Sequence, residues 1–144
     1  MNNQIVSAAR GWVGTRFHHQ GRLKKTATHK GGVDCLGLLI GVGAELGLPL
    51  AAHDDASYSH YPDTEKLRAT LAGLMQEIPA LEARIGDIAL ISIDNNPQHL
   101  GIISDYAGGL GIIHAYAPAR AVVEHALDAW WQEKIIVAFR VAFD

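Results

Sequence analysis

Only one of the 144 residues is cysteine. That excludes an internal disulfide and any CxxC metal knuckle, and it leaves the redox compartment undefined. Charge is also sparse. Charged residues make up 19% of the chain, with a net charge of −3, against a usual ~25%. There is no basic stripe, so the electrostatic footprint of a nucleic-acid binder is missing. The longest apolar run, Leu36 to Ala44, falls well short of the ~20 residues that a membrane helix needs, so no membrane partner is expected. The opening MNNQIVSAARGWVG has neither a basic nor an apolar signal region. The expectation is a protein that is cytoplasmic when made, or one delivered by a route other than general secretion. Repeats and low-complexity tracts are absent, and the length fits one domain spanning 1–144.

What is present is a change of period along the chain. Ile5, Ala8, Ala9 and Trp12 recur at helical spacing over 3–13. Residues 14–33 are polar and glycine-bearing, which predicts a long loop of the kind that often carries function. A second helix is expected over 34–48. Asp34 is its cap, and Gly47 with Pro49 marks its stop. It is apolar almost all round, as a buried helix would be. Gly37, Gly41 and Ala44 share one face, which suits close packing of the helix on a sheet. A second polar loop is expected over 49–62, and a third helix over 63–76 with Leu67, Leu71 and Leu74 on one side. From Asp87 the period becomes that of strands: 87–93, 98–103, 111–116, 121–126 and 135–143. In the last of these, Val137, Phe139, Val141 and Phe143 share a face. A short helical turn, LDAWWQEK, lies between the last two. Helices first and hairpin-ordered strands after them predict an α+β fold, with N-terminal helices packed on a C-terminal antiparallel sheet.

The single thiol, Cys35, stands directly behind Asp34 at the start of the second helix. A helix N-terminus offers the positive end of the dipole and unpaired N–H groups. Both favour thiolate, and the same N–H groups can stabilise an oxyanion beside the sulfur. A nucleophilic cysteine also needs a base. Of eight histidines, His99 in QHLGII and His114 in GIIHAY sit in strands beside apolar residues, where a polar group is costly unless paired. The others, His18, His19, His29, His53, His60 and His125, receive no role. The scattered loop histidines fit no compact zinc spacing, so no metal or other cofactor is expected. GVGAELG lies inside a helix and lacks GK[ST], which removes a nucleotide loop. Trp130 and Trp131 are read as packing and helix-capping residues.

The ordered set DCLGLL, GDIALI, QHLGII and GIIHAY resembles the NlpC family of papain-like cell-wall cysteine peptidases, and GWVGTRFHHQG resembles the family's stretch ahead of its nucleophile. The resemblance runs from about residue 5 to the C-terminus. It implies Cys35 as nucleophile, His99 as general base and His114 as the residue that orients the base. It also implies that Asp34, Phe17 and Leu36 lie near substrate. Phe17 replaces a family tyrosine, and Leu36 replaces a small polar residue. The implied reaction is hydrolysis of γ-D-glutamyl to diamino-acid bonds in peptidoglycan stem peptides through a thioester. No wall-binding repeat module is read in the sequence, and since stand-alone, signal-less relatives occur among phage and prophage tail proteins, the resemblance implies a tail setting with tail proteins as partners. A non-catalytic tail or assembly component, or an amidase or acyltransferase on the same scaffold, would carry the same motifs.

Two further expectations follow. Loops 14–33 and 49–62 should wall the cleft, with Phe17 near the sulfur. Strands 98–103 and 111–116 should form a hairpin. A Gly108-Gly109 turn would give paired residue numbers summing to 217 and would hold the histidines apart, whereas a sum of 213 would set His99 opposite His114. The catalytic reading favours 213 or a bulged equivalent.

Overall fold

A computed structural model describes residues 2–53, 64–93 and 96–142 of the chain. Its elements run in the order α1 (Asn2–Arg10), β1 (Arg22–Leu23), β2 (Gly32–Val33), α2 (Cys35–Leu46), α3 (Thr64–Leu74), β3 (Gln76–Pro79), β4 (Ile88–Ile93), β5 (Asn96–Tyr106), β6 (Gly109–Tyr116), β7 (Ala121–Ala126), α4 (Ala129–Gln132) and β8 (Ile135–Arg140). Six strands form one antiparallel sheet in the order β3-β8-β4-β5-β6-β7, and β1 pairs with β2 separately. The fold is therefore α+β and papain-like, with helices α1 to α3 ahead of the six-stranded sheet. Among the described residues no helix is long and apolar enough to cross a membrane.

Alternation along the strands gives the sheet two apolar faces. Leu90, Leu100, Ile102, Ile113, Ala115, Val137 and Phe139 join the helices in the larger core. Ala89, Ile91, Ile103 and Ile112 form a smaller core with Leu127, against which Tyr116 and Trp131 pack. Each fully buried Ile, Leu or Phe contributes roughly 1.5–3 kcal/mol, so the larger core dominates the stability of the fold. The last strand stops at Arg140, and Phe143 lies outside the described residues.

Helix α2 begins where Asp34 caps it, its carboxylate accepting from the Gly37 N–H at 2.8 Å, and ends at Gly47 in the left-handed region, φ 69°. Its glycines do not face the sheet as expected. A Cβ on Gly37 would collide with the Gly21 carbonyl, and one on Gly41 with the Trp12 ring. The close approach is therefore to the 14–33 segment and to the end of α1. Leu38, Leu39 and Val42 are the buried side toward the core.

The 14–33 segment is more regular than a loop. Gly14 and Phe17 donate to the Val122 and Arg120 carbonyls, and Val122 donates back to Thr15, all at 2.8–2.9 Å. This ladder covers the exposed edge of β7. Val33 N donates to the Arg16 carbonyl and His18 N to that of Val33, each at 2.9 Å, so the segment is tied to the residues just ahead of Cys35. Of the second expected loop, 49–53 is a short 3-10 helix, and 54–62 lies outside the described residues.

The β5–β6 hairpin has neither register expected for it. Ile102 pairs with Ile113 and Tyr106 with Gly109, so paired numbers sum to 215. The two-residue turn is Ala107-Gly108, both at positive φ, 50° and 84°, as a type I′ turn requires.

Candidate active site

Cys35 is the first residue of α2 and is half-buried. The pairing of β5 with β6 runs from the turn to Ile102 and Ile113. Just beyond that point the Leu100 N–H is donated to the Cys35 sulfur, joined by the N–H groups of Leu36 and of Cys35 itself. The sulfur therefore sits where the two strands part, against the backbone of the residue that follows His99. Leu38, Leu39, Ile88, Leu100, Gly101 and Ile102 close in around it and leave no space for a water molecule on that side.

Electrostatics here run against the sequence-based expectation of a thiolate. Burial, and then the charge of Asp34, push the Cys35 thiol up to about 11, and the three backbone hydrogen bonds only partly offset them. At neutral pH only about one molecule in 10⁴ would carry the thiolate. His99 is also neutral, because burial pulls its pKa down to about 4. The resting pair is a thiol and an uncharged imidazole.

His99 Nε2 and His114 Nδ1 lie 2.6 Å apart. If the register of the hairpin were continued past Ile102, His99 would fall opposite Tyr116 and His114 opposite Gly101. The histidines are thus diagonal neighbours on one face, which long or aromatic side chains can span. Gly101 makes the diagonal possible: an added Cβ there would lie 2.6 Å from Ile112 Cδ1 and 3.4 Å from His114 Cβ. His114 is fully buried. Burial foremost, then the charges on His99 and His125, lower its pKa to about 2.

Asp34 is 6% exposed at its side chain. One carboxylate oxygen accepts from Gly37 N and from Arg22 Nη1 (3.2 Å), the other from Gln20 N (2.8 Å). It clamps the 14–33 segment to α2, and its oxygens are turned inward, toward this clamp. Phe17 and Leu36 are both half-buried against the larger core. Phe17 bridges to Val33, two residues before Cys35.

The structure gathers three groups to which the sequence assigned no role here. His125 Nε2 lies 2.8 Å from His114 Nε2. The Tyr116 ring stacks on His114 at 4.9 Å, and Trp131 meets both His114 and His125 at 5.1 Å. Residues paired between β6 and β7 sum to 237, which makes His114 and His125 a second diagonal pair. Both diagonals follow from the registers and become readable once those are known. Of the loop histidines, His29 accepts from Gly31 N at 2.8 Å, and among the described residues no three His, Cys, Asp or Glu side chains are grouped to hold a metal ion.

No protein-family model matches the chain, and no curated protein does. Solved structures do. The NlpC/p60 domain of the peptidoglycan hydrolase SagA superposes with a TM-score of 0.63 at 18% identity, over 98% of this chain and 99% of that one. An N-acetylmuramoyl-L-alanine amidase from Bacteroides uniformis superposes with a TM-score of 0.61 at 13% identity, over 99% of both chains. At these identities the likeness is one of fold: the chain has the fold of an NlpC/p60 domain.

Proposed function

We propose that the chain is a cysteine hydrolase that cleaves amide bonds in peptidoglycan stem peptides, of the γ-D-glutamyl to diamino-acid type. The observation that carries this reading is the meeting of Cys35, at a helix N-terminus, with the strand that bears His99, itself bonded to His114. Cys35 attacks the amide carbonyl as its proton passes to His99 Nδ1, the ring nitrogen that makes no hydrogen bond among the described residues. Catalytic hydrogen bonds commonly tighten only when substrate is bound. The N–H groups at the start of α2 face the developing oxyanion. His99 then protonates the leaving amine, and water, deprotonated by His99, releases the acyl group from sulfur. Phe17, bridged to Val33, and Leu36, next to Cys35, bear on substrate choice in this reading. The unit of activity in this reading is the single domain 1–144, and the setting is a phage or prophage tail, a context that rests on the sequence resemblance alone.

A second reading has an observation of its own. One structural neighbour is described as an N-acetylmuramoyl-L-alanine amidase, which would move the scissile bond while keeping the acyl transfer. Mass spectrometry of defined muropeptides after incubation separates the two. Release of the tripeptide beyond D-glutamate is expected; release of the whole stem from the muramoyl group would favour the amidase; loss of neither, or equal cleavage by Cys35→Ala, would overturn both.

A further inference from the structure

The histidine chain does not end at His114. His125 Nδ1 lies 2.9 Å from the Ala126 carbonyl oxygen. A carbonyl can only accept, so this nitrogen carries a proton. In neutral His125 the other nitrogen, Nε2, is then a bare acceptor. It faces His114 Nε2 at 2.8 Å, so His114 must donate there. That leaves His114 Nδ1 as an acceptor, and His99 Nε2 donates to it across 2.6 Å. His99 Nδ1 is left with its lone pair. One backbone carbonyl on β7 thus fixes the tautomers of three rings in turn. Contacts with Tyr116 and Trp131 hold the ring planes in place.

We propose that His125 is a positioning residue: by accepting from His114 it holds His99 in the one tautomer whose free nitrogen can take a proton from Cys35. The inference rests on the hydrolase reading for its consequence, though not for its geometry. It also builds in an acid switch. A proton added to His125 Nε2 turns that atom into a donor. His114 must then accept at Nε2 and donate from Nδ1, and His99 accepts at Nε2 and carries its proton on Nδ1. The chain gains one proton in total, the two ring-to-ring hydrogen bonds are kept with their directions reversed, the bond from His125 Nδ1 to the Ala126 carbonyl is unchanged, and the base is lost. The groups facing the half-buried His125 ring are the His114 imidazole from β6 and the Trp131 indole from α4. The adjacent Glu124 carboxylate is engaged by Arg10 and Ser104.

The test uses the full chain labelled with ¹⁵N at histidine. Long-range ¹H–¹⁵N spectra report which ring nitrogens carry protons as the pH is lowered from about 8 toward the acid limb of the activity profile. In the wild-type chain the His99 proton should sit on Nε2 at the upper end and on Nδ1 at the lower. His125→Phe keeps the aromatic packing and removes the acceptor. It should give mixed His99 tautomers and a kcat lowered in proportion to the share of His99 that carries its proton on Nδ1, about twofold for an even mixture and up to about 10²-fold if the base is wholly lost, with little change in KM. His125→Gln can accept through its amide oxygen and cannot be protonated. It should recover most of the turnover lost in His125→Phe and move the acid limb of the pH profile to lower pH. An unchanged His99 tautomer in His125→Phe, or an unmoved acid limb in His125→Gln, would overturn the proposal. If the wild-type chain cleaves no muropeptide, the hydrolase reading fails, and the spectra still decide whether His125 sets the tautomers.

Discussion

Two buried polar systems sit on the same sheet, and they are finished differently. Near the start of β4, Asp87 is fully buried. Its two oxygens accept from Arg140 Nε and Nη2, each at 2.9 Å, and one also accepts from Arg84 N at 2.8 Å. Every charge there meets a partner within the chain. The histidine file across β5, β6 and β7 is linked ring to ring, burial holds His99 and His114 neutral, and among the described residues His99 Nδ1 makes no hydrogen bond. A closed network can only hold the fold together. A network with one unspent lone pair, on the strand whose next residue meets the thiol, has what the proposed chemistry needs.

The contrast is broken most sharply by exchanging the expected losses. Asp87→Ala takes the buried carboxylate away from the half-buried Arg140, which keeps Glu82 nearby, and leaves the Arg84 N–H without its acceptor; losing these charge-assisted hydrogen bonds costs about 1.5–3 kcal/mol. Chemical denaturation should show that loss, while turnover per folded molecule stays close to wild type. His99→Gln does the reverse. Its amide can still donate to His114 Nδ1, yet it offers no imidazole base. Turnover should fall by about 10²–10⁴-fold, with unfolding free energy changed by less than about 1.5 kcal/mol. If Asp87→Ala lost turnover faster than stability, the division between the two systems would be wrong.

Acid sharpens the same comparison. Unfolded histidine takes up its proton near pH 6.5, whereas in the fold His99 resists protonation down to about 4 and His114 down to about 2. Below pH 6.5 the unfolded chain therefore binds protons that the folded chain refuses. The stability present in full above that pH is lost as pH falls toward 4, and the share of His114 goes on falling toward 2. Each ring gives a slope of ~1.4 kcal/mol per pH unit, roughly 2.7 for the two together. Burial lowers both rings, whereas Asp87 raises Arg140, which stays charged throughout. Glu77 and Glu124, held below their usual 4.5, enter only at lower pH. Denaturation between about pH 6 and pH 5 isolates the histidines, and His114→Phe should halve the slope there. An unchanged slope would mean that His114 is already charged in the folded chain.

Much of this was legible in the sequence, and the gaps have physical causes. The cap at Asp34, the stop at Gly47 and the strand periods after Asp87 are local signals, and they appear in the structure within a few residues. So does the meeting of His99 with His114, because two polar residues on neighbouring apolar strands must find partners. The register did not follow from local signals. Gly108-Gly109 looks like the turn, but the chain turns one residue earlier and places Ala107 at φ 50°, a conformation that favours glycine or asparagine. That one residue shifts the histidines from four apart or directly opposite to a diagonal, and it hides His125 as well. β1 and β2 have two residues each, too few to show a period. β3 ends in Pro79 and lies at the sheet edge, where proline is tolerated.

The smallest expected effect tests the aspartate that joins the loop to the nucleophile helix, and it has two readouts of opposite sign. Asp34 accepts from Gly37 N, Arg22 and Gln20 N, and its charge helps to raise the Cys35 thiol. In Asp34→Asn one amide oxygen can still cap α2, but the amide nitrogen must then face the Gln20 N–H, donor against donor. Weakening a cap and a buried hydrogen bond costs about 1–2 kcal/mol. The same change removes a negative charge beside the sulfur, so the thiol should titrate lower. Iodoacetamide alkylation of Cys35 in the wild-type chain should be slow at neutral pH and rise about tenfold per pH unit until the thiol titrates. In Asp34→Asn it should be faster at every pH below that point, even though the fold is weaker. The two effects can be kept apart by working at a denaturant-free temperature where both chains are folded. Slower alkylation in Asp34→Asn would show that Asp34 acts on the sulfur by positioning the helix start and not through its charge. Fast alkylation of the wild-type chain at neutral pH would show a resting thiolate, and the attack would then begin from an ion pair in place of a neutral one.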